Sequence, residues 1–304
     1  MEYILQTNGL CKEYRHGKAL DELTMQVPKG SIYGLVGKNG AGKTTLIRIV
    51  CGLQKPTAGS FTLCGARYGE ADLSPARRCM GAVVETPSLY PELTAAQNLA
   101  LQNRVLGLPD DDNIPALLRL AGLEHTGAKK VRHFSLGMRQ RLGIVLALCG
   151  SPDFLVLDEP VNGLDPQGVI DVRELILKLN REHQVTVLLS SHMLDELARL
   201  ATCYGFIDGG RMVREVSAEE LARNGRKCVR LTVTDVPVLA RVLDEEGLEY
   251  KVLSDEQADV FGSPNLTRLA LALNEAGCEV RSAQEKDESL ESYFLSLVGG
   301  ERHE

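Results

Sequence analysis

Apolar and polar positions along this chain follow two different periods, and the switch between them lays out the elements. Tyr3 to Val27 alternates apolar and polar residues in short runs around Lys12–Gly17, which predicts antiparallel strands and a loop. Ile32–Val36, Gly81–Glu85, Phe154–Leu157 and Val185–Leu189 are apolar almost throughout, and strands of that kind are buried in a sheet. Ser60–Cys64 predicts a further short strand after the Lys55–Gly59 turn. Helical spacing follows several of these runs: Leu46, Ile49 and Val50 end at Gly52, Gly143–Leu148 continues a helix, and Val169 to about Leu179 is amphipathic. Thr94 to about Leu123 is also helical in pattern, broken at Gly107–Leu108–Pro109 and the acid run Asp110–Asp112. That run either favours the start of the next helix through its dipole or is a solvated loop.

Beyond the Asn224–Gly225–Arg226 turn the order changes. Cys228–Val233, Glu249–Leu253, Ala258–Gly262 and Glu279–Ala283 read as strands, with helices over Val238–Glu246 and Leu266–Ala276 and a final one from Ser289. A βαββαβ order predicts a ferredoxin-like α+β module over 226–304, set after an α/β domain over 1–225 whose helical part spans about 90–148. The module has no glycine-rich loop and no catalytic cluster.

A length of 304 residues with 44% apolar and 25% charged residues fits a two-domain globular protein. No apolar run approaches the roughly 20 residues that cross a bilayer. The first residues lack a basic segment followed by an apolar one, so the sequence predicts a cytoplasmic location. The eight cysteines are scattered, without a C-x-x-C pair, and are expected to be reduced and mostly buried. The net charge of −7 comes from the region after residue 225, and no polybasic run points to nucleic acid.

Chemistry enters at Gly37–Lys38–Asn39–Gly40–Ala41–Gly42–Lys43–Thr44–Thr45, a G-x-x-x-x-G-K-[ST] loop between a strand and a helix. Glycines let the backbone close around a polyphosphate with N–H groups turned inward, Lys43 reaches the β- and γ-phosphates, and the Thr44 hydroxyl is placed for Mg²⁺. Asp158 and Glu159 follow the apolar run Phe154–Leu157. In phosphoryl transfer one acid beyond such a strand holds Mg²⁺ and a second activates water. Glu85 and His192 are placed at other strand ends, where functional side chains are presented, although a lone histidine is as readily structural. Ser135 can cap the helix behind it, either as a second anion-facing helix end or as an ordinary cap. Tyr14, ahead of the phosphate loop, is either a base-stacking aromatic or a half-exposed strand residue.

Taken together these segments resemble the ATP-binding cassette (ABC) family over residues 1 to about 220. Gly37–Thr44 matches its Walker A loop and Phe154–Glu159 its Walker B strand with the catalytic Glu. Ser135–Leu136–Gly137–Met138 is similar to the signature motif, Asn162–Asp165 to the D-loop, His192 to the switch histidine and Tyr14 to the adenine-stacking aromatic. Leu136 and Met138 depart from the usual Gly and Gln of the signature, and Glu85 stands where the family usually has Gln. These features most resemble the bacterial cassettes of bacitracin and lantibiotic self-protection.

The resemblance implies a P-loop α/β core with antiparallel and helical subdomains, ATP and Mg²⁺ as cofactors, and a dimer that closes over two ATP molecules. Each ATP is held by the phosphate loop of one chain and by Ser135 and Gly137 of the other. Glu159 activates water, His192 binds the γ-phosphate, and Asp158, Thr44 and Glu85 arrange Mg²⁺. Separate integral-membrane subunits carry the substrate and dock near Leu89, Tyr90 and the helices from Thr94 onward. A cassette acting on nucleic acid or ribosomes is a rival reading, but this chain has neither a second cassette nor a long coiled-coil insertion. An inactive interaction module is a third, set against the presence of Lys43, Asp158, Glu159 and His192.

Overall fold

The computed structural model describes residues 2–15, 17–108, 110–224, 228–262 and 264–286, with Tyr293 and Leu297. The chain divides into two compact units, Met1–Ala218 and Glu219–Glu304. The sequence pattern places the division later, at the turn near Gly225; Ala218, which ends the first unit, donates its N–H to Thr202 O at 2.8 Å. Residues 225–227, where the turn falls, and the helix expected from Ser289 lie outside the described residues.

In the first unit, strands β1 (Tyr3–Tyr14) and β2 (Gly17–Pro28) pair antiparallel, as their alternation predicts. β3 (Ile32–Val36) then leads into helix α1 (Lys43–Val50), and β4 (Ala58–Leu63) and β5 (Ala66–Arg67) return to β1, giving an antiparallel sheet in the order β2-β1-β4-β5. Helix α2 (Ser74–Arg78) precedes β6 (Met80–Val83). The helical layer follows as α3 (Ala95–Leu106), α4 (Ile114–Leu120) and α5 (Leu136–Ala147). Thr94 and Gln97 form a reciprocal capping box at the start of α3, which fixes where that helix begins.

β7 (Phe154–Asp158), α6 (Pro166–His183), β8 (Thr186–Ser191), α7 (Leu194–Ala198) and the hairpin β9 (Cys203–Asp208) and β10 (Arg211–Ser217) complete the second sheet. Its order is β10-β9-β3-β8-β7-β6. Every pairing is parallel except the β9–β10 hairpin. Every residue of β3, β7 and β8 is buried, which is why their sequences are apolar runs. Because these three strands run the same way, their C-terminal ends open on one edge, the place where α/β sheets present ligand sites.

Two local expectations change. α6 begins at Pro166 and not near Val169: proline is preorganised for the first helical position, and Asp165 caps the end by accepting from Gly168 N–H at 3.2 Å. β6 ends at Val83, so Glu85 lies two residues past the strand in a left-handed conformation, φ +62°. Of the two readings of Asp110–Asp112, the solvated loop holds: all three are exposed and precede α4, whose first turn carries no acid, and the Asp111 carboxylate accepts from Asn103 Nδ2 at 3.1 Å. The β9–β10 hairpin was not foreseen, although Gly209–Gly210 between two strand-like runs is a hairpin signal.

The second unit opens with α8 (Ala218–Asn224), which begins on the last residue of the first. It continues as β11 (Cys228–Val233), α9 (Val236–Glu245), β12 (Tyr250–Ser254), β13 (Gln257–Phe261), α10 (Leu266–Glu275) and β14 (Val280–Lys286). The sheet order is β12-β13-β11-β14, antiparallel throughout. Val229, Leu231 and Val260 of the sheet pack with Leu239, Leu243 and Leu273 of the two helices into a core of its own.

Candidate functional site

The chain turns sharply out of β3 into α1 through the phosphate loop. Gly42 holds φ +109°, a conformation that side chains rarely adopt, and a Cβ there would lie 2.5 Å from Ala19 O. Gly37 is equally confined, since a Cβ would lie 2.6 Å from Ile207 O. The unforeseen hairpin therefore forms the back wall of the loop, and Gly210 N–H donates to Ala41 O at 3.0 Å. Lys43, only 5% exposed, folds its ammonium back onto this loop and donates to Gly37 O at 2.6 Å and Lys38 O at 3.3 Å.

Two strands away, β7 ends in Asp158, which is 1% exposed. A buried carboxylate needs donors, and Ser190 at the end of β8 supplies one, its hydroxyl donating to Asp158 Oδ1 at 2.6 Å. The register pairs Asp158 directly with Ser190. Ser190 Oγ also accepts from Glu159 N–H at 2.9 Å, so one hydroxyl ties both acids. Glu159 leaves the strand at φ +51°, which turns its side chain away from the sheet. Glu159 Oε1 lies 3.4 Å from Lys43 Nζ, and Oε2 lies 2.6 Å from His192 Nδ1.

The result is a cleft of about 250 Å³ lined by Asn39, Gly40, Gly42, Lys43, Thr44, Thr45, Glu159, Asn162 and His192, with Ala19 on the β2 side. Ala19 and Ser190 carried no sequence signal of their own; only the pairing of their strands with the motif-bearing ones reveals them. Larger hollows exist, such as one of about 600 Å³ beside Leu117, Leu148 and His183, but none of the phosphate-binding loop lines it.

The remaining sequence candidates stand apart from this cleft. Tyr14, 41% exposed, donates to Gln54 Oε1 at 2.5 Å, with the Lys12 ammonium 5.3 Å from its ring centre. Glu85 is exposed and pairs with Arg48 of α1. Ser135 caps α5 by accepting from Met138 N–H at 3.2 Å, and both Ser135 and Leu136 are exposed. Gly137 is buried against α6, where a Cβ would lie 3.5 Å from Gly168 Cα. The Leu136 side chain reaches the D-loop segment near Gly163, close to the Asp165 cap. Pro87 lies flat on α5, since a Cβ at Gly143 would meet it at 2.4 Å, so the Glu85 segment and the helix behind Ser135 are in direct contact.

A family model described as ABC transporter matches residues 20–162, from within β2 to just past β7. The bacitracin transport ATP-binding protein BcrA of Bacillus licheniformis is 38% identical over 304 residues, which is 99% of this chain and 99% of that protein. This chain belongs to the ABC transporter family. The lantibiotic transport ATP-binding protein SrtF of Streptococcus pyogenes is 40% identical to the cassette over 212 residues, 70% of this chain and 90% of that protein. Among solved structures, the dimeric post-hydrolysis cassette MJ0796 bound to ADP and Pi superposes with a TM-score of 0.62 at 25% identity, covering 70% of this chain and 98% of that one. The cassette is an ABC transporter ATP-binding subunit, an ATPase whose hydrolysis is coupled to transport. Cassettes of this family work as dimers with membrane subunits. Among the described residues, no helix is long and apolar enough to cross a membrane.

Oxygen donors suited to Mg²⁺ are in place. Asp158 Oδ2 and the Thr44 hydroxyl make no hydrogen bond within the described residues. No group of three or more His, Cys, Asp or Glu residues among those described could hold a metal unaided. Mg²⁺ that arrives on a polyphosphate needs only one or two protein carboxylates, so this sparse donor set fits it.

Proposed function

We propose that this cassette powers export of peptide antibiotics or similar amphipathic compounds through separate integral-membrane subunits, at the inner face of the cell membrane. The observation that carries the ATPase half of this reading is the line Lys43, Glu159, His192 across one cleft at the C-terminal edge of the parallel sheet. The names of BcrA and SrtF support the exporter half.

In this reading ATP enters with its phosphates in the loop 37–45, and Lys43 exchanges its loop carbonyls for the β- and γ-oxygens. His192 contacts the γ-phosphate, and Glu159, freed from Lys43, accepts a proton from the attacking water. Thr44, Asp158 and Glu85 would hold Mg²⁺, which supplies charge neutralisation on the phosphate oxygens. Tyr14 stacks on the adenine. A cleft of about 250 Å³ falls below the roughly 300–1,000 Å³ of complete small-molecule sites, as a half-site should. The other half comes from a second cassette, whose exposed Ser135 and Leu136, with Gly137 and Met138 behind them, present the start of α5 to the γ-phosphate. Asp165, the last residue of the D-loop segment, caps the start of α6.

The transport reading is tested by deleting the chain from its host and challenging the cells with peptide antibiotics, while recovering its membrane-bound complex. Raised sensitivity and co-purification with a polytopic membrane protein are expected. Unchanged sensitivity to every peptide tested, or recovery without a membrane protein, contradicts it.

A further inference from the structure

We propose that Arg48 is the positioning residue of Glu85, holding an acid at a place where the wider ABC family usually has Gln. The inference rests on the reading that Glu85 works at the metal or the attacking water.

The backbone around Glu85 has little freedom. Its φ of +62° is left-handed for a residue with a side chain, and Pro87 two positions on is pressed against Gly143. Only the side chain can choose a position, and it chooses the guanidinium of Arg48. Arg48 stands on α1, the same helix whose first turn carries Lys43 and Thr44. Thr44 and Arg48 are four residues apart, which puts them on one face of that helix about 6 Å apart along its axis. The ion pair thereby ties Glu85 to the helix that carries Thr44, whose hydroxyl would bind Mg²⁺.

Charge explains why such a tether is needed. An acid aimed at a site for polyphosphate is repelled by the ligand, and an amide is not. A guanidinium beside it offsets that repulsion and fixes the orientation of the carboxylate. The pair is not there for stability: the side chains are 36% and 58% exposed, and ion pairs of that exposure contribute little to folding. Its effect lies in where Glu85 waits and how readily it turns inward.

The test is a double-mutant cycle on the full-length chain in its membrane complex: unmodified, Arg48→Met, Glu85→Gln and both together, with Arg48→Lys as the charge-keeping control. ATP turnover is measured across an Mg²⁺ titration, and Tm is recorded for each. Arg48→Met should lower turnover about tenfold and raise the Mg²⁺ needed for half-maximal rate, whereas in the Glu85→Gln background it should change either by less than about twofold. Arg48→Lys should recover most of the loss, with Tm held within about 2 °C throughout. Equal losses from Arg48→Met in both backgrounds, or a fall in Tm that tracks the lost turnover, overturns the pairing. An unchanged Mg²⁺ requirement in Glu85→Gln alone removes Glu85 from the metal and overturns the underlying reading, a result seen without reference to Arg48.

Discussion

Glu159 Oε2 lies 2.6 Å from His192 Nδ1 while its other oxygen lies 3.4 Å from Lys43 Nζ. One carboxylate thus spans the two groups assigned to the γ-phosphate. In the proposed mechanism ATP separates Glu159 from Lys43 and leaves the carboxylate to act on water. Glu159→Gln keeps the shape and both contacts but removes the base. It should retain ATP binding, accumulate a closed dimer and lose about 10²–10⁴-fold in turnover, read by size-exclusion chromatography with ATP and by phosphate release. Hydrolysis at the unmodified rate would rule out Glu159 as the base.

Ser190 is fully buried and serves both acids at once, donating to Asp158 and accepting from the Glu159 backbone. Ser190→Ala leaves a buried carboxylate one donor short, a loss of about 1–3 kcal/mol. Tm should fall by several degrees and turnover by about tenfold, with a higher Mg²⁺ requirement and little change in ATP affinity. If turnover and Mg²⁺ dependence are both untouched, the hydroxyl does not position the site.

Gly137 tells folding apart from catalysis. Its backbone is not left-handed, and an added Cβ would meet only an ordinary 3.5 Å contact with Gly168. Alanine is also the better helix former, by up to about 1 kcal/mol. Gly137→Ala should therefore keep or raise Tm while lowering ATP turnover at least tenfold, because the crowding arises only against ATP in a facing cassette. Loss of stability in step with activity would mean that the residue acts inside its own chain.

Three of the thiols, Cys51, Cys64 and Cys149, should be inert in the folded protein. Burial pushes Cys51 up to about 12 and Cys64 and Cys149 up to about 11, far above neutral pH. All eight cysteines are free. Since the thiolate is the reactive form, alkylation at pH 8 should leave these three unmodified until denaturant is added, as peptide mass spectrometry would show. Rapid labelling of Cys51 in the native protein would contradict this burial.

The parallel sheet and the cleft were legible because their determinants are local. Apolar runs mark β3, β7 and β8, and the loop 37–45, Asp158, Glu159 and His192 sit at the ends of those runs. What the sequence hid depends on pairing. Ser190 reads as one hydroxyl in a Ser-Ser pair until the register sets it opposite Asp158. Ile207 reads as an ordinary strand residue until β9 lies against the phosphate loop. Glu85 was expected at a strand end, but β6 stops two residues short, and the Arg48 partner comes from a helix far away in the chain. Residues separated in sequence leave no periodic trace, so these contacts become visible only in the fold.

The central claim, that each ATP site is shared between two cassettes, is tested most directly by mixing two inactive chains. Lys43→Ala destroys the phosphate loop and keeps the α5 end; Gly137→Ala does the reverse. The ATP turnover of the mixture is the measurement. A shared site predicts that the mixture regains turnover that neither variant shows alone, because a mixed dimer holds one intact loop facing one intact Ser135 and Gly137. A mixture as silent as its parts, from variants shown to dimerise, would contradict it.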